Sequence, residues 1–472
     1  MNQPPAPLPA QFRLAVSPDV RRPLPHVLIG GAPLRVLKLT AQGATLVTRW
    51  EAGAPIGTSP GARALATRLV EAGLAHPRPS GPPPLLRAAL VIPVRDDPEG
   101  LRLTLDAISA TAADVAVWVV DDGSVPPVPT PPTPGAIRVL RRPAPGGPAA
   151  ARNSGWRATD SDVVVFIDAG CVPEPGWLER LLGHFADPGL GAIAPRVTSR
   201  ASAGTPSDLA AYEEAHSSID MGAAEGPVRP GAAVAYVPTA TLAVRRAALG
   251  AGFDESLRFG EDVDLVWRLG RAGWRVRYEP SVQVTHPSRA DRRSWLRQRF
   301  DYGSSAAPLA TRHGAAVAPL AVNPWSAAVW TFISCGRPLT AAGLAAGSSL
   351  ALARRAGDDR VTAAELARLA LAGHVRAGAP IASAIRRAWL PPAAAAASVG
   401  WKVGDRRARI AISVCVAAIL FGDGVADWWH RRPDTGPARW VTLRLADDLS
   451  YQAGVWFGAL RSRSLTALLP RW

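Results

Sequence analysis

Three apolar, β-branched runs stand out early in the chain: AALVIPV at 88–94, VAVWVVDD at 115–122 and DVVVFIDAG at 162–170. None alternates polar with apolar positions. Strands of that kind are buried on both faces, which predicts a parallel sheet covered by helices. The stretches between the runs have helical periodicity. Ligands in such sheets bind at the carboxyl ends of the strands. Those ends carry Arg95, Asp96, Asp97, Asp121, Asp122 and Asp168.

The pattern changes on either side of this region, at about 85–304. Before it, FRLAVS and HVLIGGAPLRVLKLT read as strands around a Gly-Gly turn, and GATLVTRWEAG and GARALATRLVEAGLA as amphipathic helices. Residues 1–80 therefore predict a small winged-helix-like α+β module. It holds no catalytic cluster, so it either binds a partner or caps the next domain. The proline-rich seam HPRPSGPPP at 76–84 closes it. A second proline-rich stretch, VPPVPTPPTPG at 125–135, predicts an exposed loop.

Residues 305–472 are alanine-rich and predict an α-helical region. Positions 314–336 hold no charged residue and are long enough to span a bilayer, although Pro319, Asn323 and Pro324 interrupt them. Positions 410–421 are apolar but too short to span, and Arg406, Arg407 and Arg409 precede them. That arrangement suits contact with a cytoplasmic leaflet; an ordinary buried helix pair accounts for it equally.

Composition narrows the picture. The 472 residues are 48% hydrophobic and 19% charged, ordinary for a folded protein, and the length allows two to four domains. The net charge of +15 comes mostly from arginine and has no nucleic-acid-binding motif beside it. A phosphorylated substrate or anionic lipid fits better than nucleic acid. The three cysteines lack metal spacing, and the N-terminus lacks the basic start and apolar core of a signal peptide. A cytoplasmic protein, or one at the cytoplasmic face of the membrane, is expected.

Five motifs carry the candidate chemistry. VVDDGS at 119–124 ends a strand with Asp121 and Asp122, which can accept hydrogen bonds from a ribose or a uracil N–H. GGPAAARNSGW at 146–156 opens a helix that would bring Arg152 and Asn153 near a nucleotide, where arginine offers a fork for a phosphate or carbonyl. FIDAGC presents Asp168. YVPTATLAVRRAAL, with Thr239, reads as a strand lining an acceptor cleft. FGEDVD at 259–264 places Glu261, Asp262 and Asp264 at a helix start, more acid than capping needs, and one of them can deprotonate a hydroxyl. Further on, VTHPS holds His286, a metal or phosphate partner, and WLRQRFDYGSS holds Gln298 and Arg299.

The order of these motifs resembles that of the family 2 glycosyltransferases, over about 90–303. The resemblance implies the GT-A fold and places Pro93, Asp121, Asp122, Arg152 and Asp168 at nucleotide-sugar-binding positions. It makes Asp168 the first residue of a D-x-D element, and Glu261 and Asp262 an E-D element whose aspartate is the general base. Gln298, Arg299 and Phe300 match only loosely an element that meets acceptor and diphosphate. The N-terminal module looks like the peptide-binding winged helix of the PqqD type. Joined to the transferase region, it is similar to the mycofactocin-system glycosyltransferases. That implies an inverting hexosyltransferase, using UDP-glucose and extending a peptide-derived redox cofactor (premycofactocin) with β-linked sugars. A lipid-linked or cell-wall glycan acceptor, and a non-catalytic peptide-binding scaffold, stay open as alternatives.

One position departs from the pattern. Gly170 stands where D-x-D has its second aspartate. A Mg²⁺ or Mn²⁺ ion anchored by Asp168, with His286 as a second ligand, is expected, because donor diphosphate and water can fill the remaining positions. A metal-independent site, with Arg152 or Arg299 neutralising the diphosphate, is the other reading.

Overall fold

The computed structural model describes residues 6–81, 84–112, 114–129, 137–201, 206–288, 291–356 and 360–471. The chain separates into two compact units, 1–202 with 213–288 and 203–212 with 289–472. The loop expected at 125–135 is exposed over most of 125–129; the rest of it lies outside the described residues.

The first unit opens with strands β1 (Arg13–Val16), β2 (Arg21–Leu24), β3 (Val27–Gly30) and β4 (Arg35–Lys38), then helices Ala41–Glu51 and Pro60–Glu71, then β5 (Ala75–Arg78). Strands form on both sides of the Gly30–Gly31 turn. Gly31 has φ +80°, and a Cβ there would stand 2.3 Å from the Ala72 carbonyl oxygen, so the turn needs glycine. Thr40 and Ser59 cap the two helices by accepting from Gly43 N and Ala62 N. Leu28, Val47, Trp50, Ala66 and Leu69 close a small core between these elements.

The seam expected at 76–84 is not a free linker at its start. His76–Arg78 belong to β5, which pairs antiparallel with β1. Their side chains also engage the larger sheet. Arg78 Nη1 donates to Glu225 at 2.6 Å, and Arg277 Nη2 lies 3.3 Å from His76 Nδ1. Burial pulls His76 down to about 4, so the ring is neutral at pH 7 and Nδ1 can accept from the guanidinium.

The larger sheet is built from β6 (Ala88–Val94), β7 (Ala116–Asp121), β8 (Ile137–Arg141), β9 (Val163–Ile167), β10 (Val172–Pro173), β11 (Leu190–Arg200), β12 (Gly226–Pro227), β13 (Thr241–Arg245) and β14 (Arg275–Pro287). Its order is β10-β14-β11-β13-β9-β6-β7-β8, with β12 on β14. The three sequence runs become the neighbours β9, β6 and β7, all parallel, and β8 continues them. β13 runs antiparallel between β9 and β11. Every residue of β9 is fully buried; a buried Val, Ile or Phe side chain contributes about 1.5–3 kcal/mol. Helix Gly147–Ala158 presses on this sheet so closely that a Cβ on Gly155 would stand 2.3 Å from Val91 Cγ1.

The second unit is helical. Its helix Arg292–Ser304 sets the boundary earlier than the expected 304/305, because it packs on Pro437–Arg461 backbone to backbone. A Cβ on Gly303 would lie 2.0 Å from the Tyr451 carbonyl oxygen, and one on Gly454 2.0 Å from that of Phe300. The apolar stretch 314–336 is not one span. It divides into a turn at Gly314–Val317 and a helix Pro324–Ser334 capped by Asn323, since the prolines cannot continue a helix. The stretch 410–421, expected to be too short, instead lies within Arg406–Arg431. By length and composition this 26-residue helix, with mean hydropathy 1.9 over its most apolar window, could cross a membrane. Only 6% of that window is buried.

The glycine contact gives a direct test. Gly303→Ala and Gly454→Ala should each lower stability by about 1–3 kcal/mol through overpacking, read as a fall in the denaturant midpoint of the second unit. An unchanged midpoint would mean that the helices do not approach this closely.

Candidate functional site

Asp168 follows β9 directly, and its N–H donates to the Ala240 carbonyl at 2.9 Å. The loop then turns at Gly170, which has φ +90°, and a Cβ there would stand 2.9 Å from Pro287 Cγ. A side chain at 170 would be strained in backbone and crowded in space. The Asp168 side chain keeps 29% exposure.

Arg152, on helix Gly147–Ala158, joins this loop to the acidic segment. Its Nη2 donates to Asp168 Oδ1 at 2.8 Å and its Nη1 to Glu261 Oε1 at 2.9 Å. The guanidinium carbon sits 5.6 Å from the centroid of the Phe253 ring. Desolvation works against the charge on Arg152, but Asp168 and Glu261 outweigh it, and its pKa is raised overall. Arg152 Nε is buried with no hydrogen-bond partner among the described residues.

The three acids of FGEDVD have separate employments. Gly260, at φ +81°, starts helix Glu261–Arg271. Glu261 takes Arg152. Asp264 is buried and accepts from Arg268 Nε at 2.7 Å within its own helix. Asp262 is half-buried and accepts from Val263 N at 2.8 Å. Burial, then the neighbouring charge of Glu261, push its carboxyl up to about 7. That proton affinity suits exchange near neutrality.

The other expected residues fall around this centre in different ways. Pro93 lies on β6, half-buried, opposite Val120. Asp121 and Asp122 end β7, but the chain's own donors occupy their carboxylates. Asp121 accepts from Ser124 N at 2.8 Å, Val128 N at 3.1 Å and Arg141. Burial raises its proton affinity, and these bonds more than reverse that, so its pKa is lowered. Asp122 accepts from Gly146 N at 2.9 Å and Gly147 N at 2.7 Å, and pairs with Arg142 Nε at 2.8 Å. Both therefore fix loops. Asn153 does not point to an open site. It is buried, donating to Phe253 O and Glu255 Oε1 at 2.8 Å and accepting from Phe253 N at 2.9 Å, and so braces the segment before FGEDVD. Thr239 is buried next to Ala240, the partner of Asp168 N.

His286 lies near the end of β14, beside the Pro287 that crowds Gly170. Its Nδ1 is 2.8 Å from the Pro287 carbonyl oxygen. A carbonyl only accepts, so Nδ1 donates a hydrogen bond to it. Among the described residues, no group of three or more His, Cys, Asp or Glu could hold a metal.

Gln298 and Arg299 belong to the second unit. Arg299 is buried there, donating from Nε to Asp447 at 3.1 Å and from Nη1 to Gln298 Oε1 at 3.1 Å, above the Trp295 ring. That ion pair accounts for the arginine without a diphosphate. Phe253, Arg142 and Gly260 are site-shaping residues that sequence reasoning missed. Only Gly260, a glycine just before an acidic helix start, left a readable signal.

Residues 89–243 match the family model described as glycosyl transferase family 2. The chain is 39% identical over 463 residues to the "Pre-mycofactocin glycosyltransferase" of Mycobacterium tuberculosis, covering 94% of both chains. A shorter segment of 56 residues is 48% identical to the "N-acetylglucosaminyl-diphospho-decaprenol L-rhamnosyltransferase" of the same species, over 11% of this chain and 18% of that one. Among solved structures it is similar to the mannosyltransferase PcManGT from Pyrobaculum calidifontis in complex with GDP-Man and Mn2+, at 17% identity and a TM-score of 0.41, over 80% of this chain and 90% of that one. With its mostly parallel sheet in the GT-A arrangement and a relative matched along almost its whole length, this chain belongs to glycosyl transferase family 2, in the group of the pre-mycofactocin glycosyltransferases.

Proposed function

We propose that the protein moves a hexose, glucose from UDP-glucose, with inversion onto premycofactocin and its glycosylated products, building a β-linked oligosaccharide. The observation that carries this reading is Arg152 bridging Asp168 to Glu261, next to an Asp262 carboxyl pushed up to about 7. A decayed scaffold has no use for such an arrangement. Three free cysteines, Cys171, Cys335 and Cys415, suit a reducing cytoplasm.

In this reading the nucleotide lies at the ends of β6, β7 and β9, beside Pro93. Asp121 and Asp122 act through the loops they hold. Asp262 takes the proton of an acceptor hydroxyl while that oxygen bonds to the anomeric carbon. The bond from that carbon to the diphosphate breaks, and its electron pair leaves with UDP. Arg152 stays charged throughout and holds Glu261, so the second carboxylate is fixed beside the base.

The donors present fit a divalent ion shared with the diphosphate, and do not fit one held by protein alone. Asp168 is a single, partly exposed carboxylate, His286 is a single imidazole, and Gly170 has neither a ligand nor room for one. Asp168 and His286 would hold the ion. When bound, Mg²⁺ or Mn²⁺ supplies positive charge against the departing diphosphate.

The N-terminal module is proposed to hold the peptide-derived acceptor. β4 is an edge strand with Val36 38% exposed beside Leu34 at 58%. An extended peptide can add to such an edge.

Four measurements test these assignments. A raised carboxyl is protonated below its pKa, so kcat/KM should fall about tenfold per pH unit below roughly 7. Asp262→Asn should lower turnover by roughly 10²–10⁴ with donor affinity retained; near-normal turnover would reassign the base to Glu261. Chelation should abolish turnover, with Mn²⁺ or Mg²⁺ restoring it, and full activity in metal-free buffer would remove the ion. Leu34→Asp with Val36→Asp should raise the acceptor KM and leave UDP-sugar hydrolysis intact. Unchanged acceptor kinetics would make the module a cap.

A further inference from the structure

Helix Arg406–Arg431 wears its apolar side outward. Ile410, Val414, Phe421, Val425 and Trp429 are 55%, 61%, 46%, 49% and 59% exposed. They recur at helical spacing and make one stripe. The carboxylates of the same helix make bonds within the unit. Asp423 accepts from the buried Arg386 at 2.6 Å, and Asp427 accepts from Trp440 Nε1 at 2.7 Å and from Arg431 Nε at 2.7 Å. A helix facing water has the opposite distribution.

The dimensions and ends of the stripe indicate what covers it. Ile410 and Trp429 stand about 28 Å apart at ~1.5 Å per residue, close to the ~30 Å hydrocarbon thickness of a bilayer. Arg406, Arg407 and Arg409 precede the stripe, and Arg431 and Arg432 follow it. Each end pairs a cation with an exposed tryptophan. Arg409 lies 5.3 Å from the Trp401 ring centroid, and Arg432 3.8 Å from that of Trp429. Indole rings and arginines at both ends of an apolar length suit the two edges of a membrane, and the cations complement anionic headgroups.

We propose that this outward face of Arg406–Arg431 is embedded in a bilayer containing anionic lipid. The proposal stands apart from the transfer reaction, and its failure would leave that reaction untouched.

The test uses the full chain, purified in detergent and returned to vesicles. With phosphatidylcholine and phosphatidylglycerol vesicles, most of the protein should float with the lipid. Val414→Glu with Phe421→Glu should cut flotation at least tenfold while UDP-sugar hydrolysis survives. Arg406→Ser, Arg407→Ser and Arg409→Ser combined should remove the preference for phosphatidylglycerol over pure phosphatidylcholine. If the unaltered chain stays with the aqueous fraction as a monodisperse monomer, the proposal is overturned. It is equally overturned if the detergent-free chain forms a dimer that Val414→Glu splits and that ignores vesicles, since a second copy would then be the cover.

Discussion

The first unit is organised around one buried cation. Arg152 donates to Asp168 on one side and to Glu261 on the other, and these three residues come from three different elements. Burying a guanidinium costs several kcal/mol unless its partners are well placed, and removing one partner of such a pair typically costs about 3–5 kcal/mol. The carboxylates cannot drift apart without stranding the arginine, nor can the arginine leave without bringing two negative charges together. Much of the surrounding geometry reads as support for this bridge. Gly155 lets its helix reach the sheet, Asn153 braces the loop that carries Phe253, and Gly260 turns the chain so that Glu261 begins its helix facing inward.

What the sequence disclosed follows from how local each signal is. The runs at 88–94, 115–122 and 162–170 declare buried parallel strands by composition alone, and all three form. FGEDVD declares a helix start rich in acid. Yet the sequence could not say which acid was spoken for, because that depends on partners far away. Arg152 is 109 positions from Glu261, and Arg299 is 148 from Asp447. The same limit explains Asp121 and Asp122. Their place at a strand end was legible, while their capture by Arg141, Arg142 and the amides of Gly146 and Gly147 was not. The apolar tracts of the second unit mislead for a different reason. Counting uncharged residues favours 314–336, but Pro319 and Pro324 keep the stretch from being one helix, and the helix there starts only at Pro324, while the charged Arg406–Arg431 holds acids that find partners inside the fold.

The N-terminal module, whose elements were legible, is bound to its neighbour by charges that were not. Arg275 reaches the Asp187 carboxylate at 2.8 Å and the Ala6 carbonyl at 2.7 Å, and Arg277 meets His76. Burial pulls Arg277 down to about 10, still cationic at neutral pH. Removing residues 1–80 would strip partners from two buried arginines, a cost in the folded state that has nothing to do with acceptor binding. The module is therefore part of what makes the transferase sheet stable, whatever else it does. Changes at its exposed edge separate binding from folding, and its deletion does not.

Gly170 gathers these threads. A carboxylate there would need a backbone at φ +90° to bear a side chain, and would need Pro287 to move from 2.9 Å. The neighbouring strand end has thus closed the position that a second metal ligand would use. The same proline follows His286, whose Nδ1 donates to the Pro287 carbonyl. Asp168, for its part, is already paired with Arg152. With one shared carboxylate and one imidazole, the protein contributes too little charge to retain a divalent ion by itself. An ion would then arrive with the donor diphosphate and leave with it, and Arg152 would remain as a permanent positive charge between the donor side of the cleft and the proposed base.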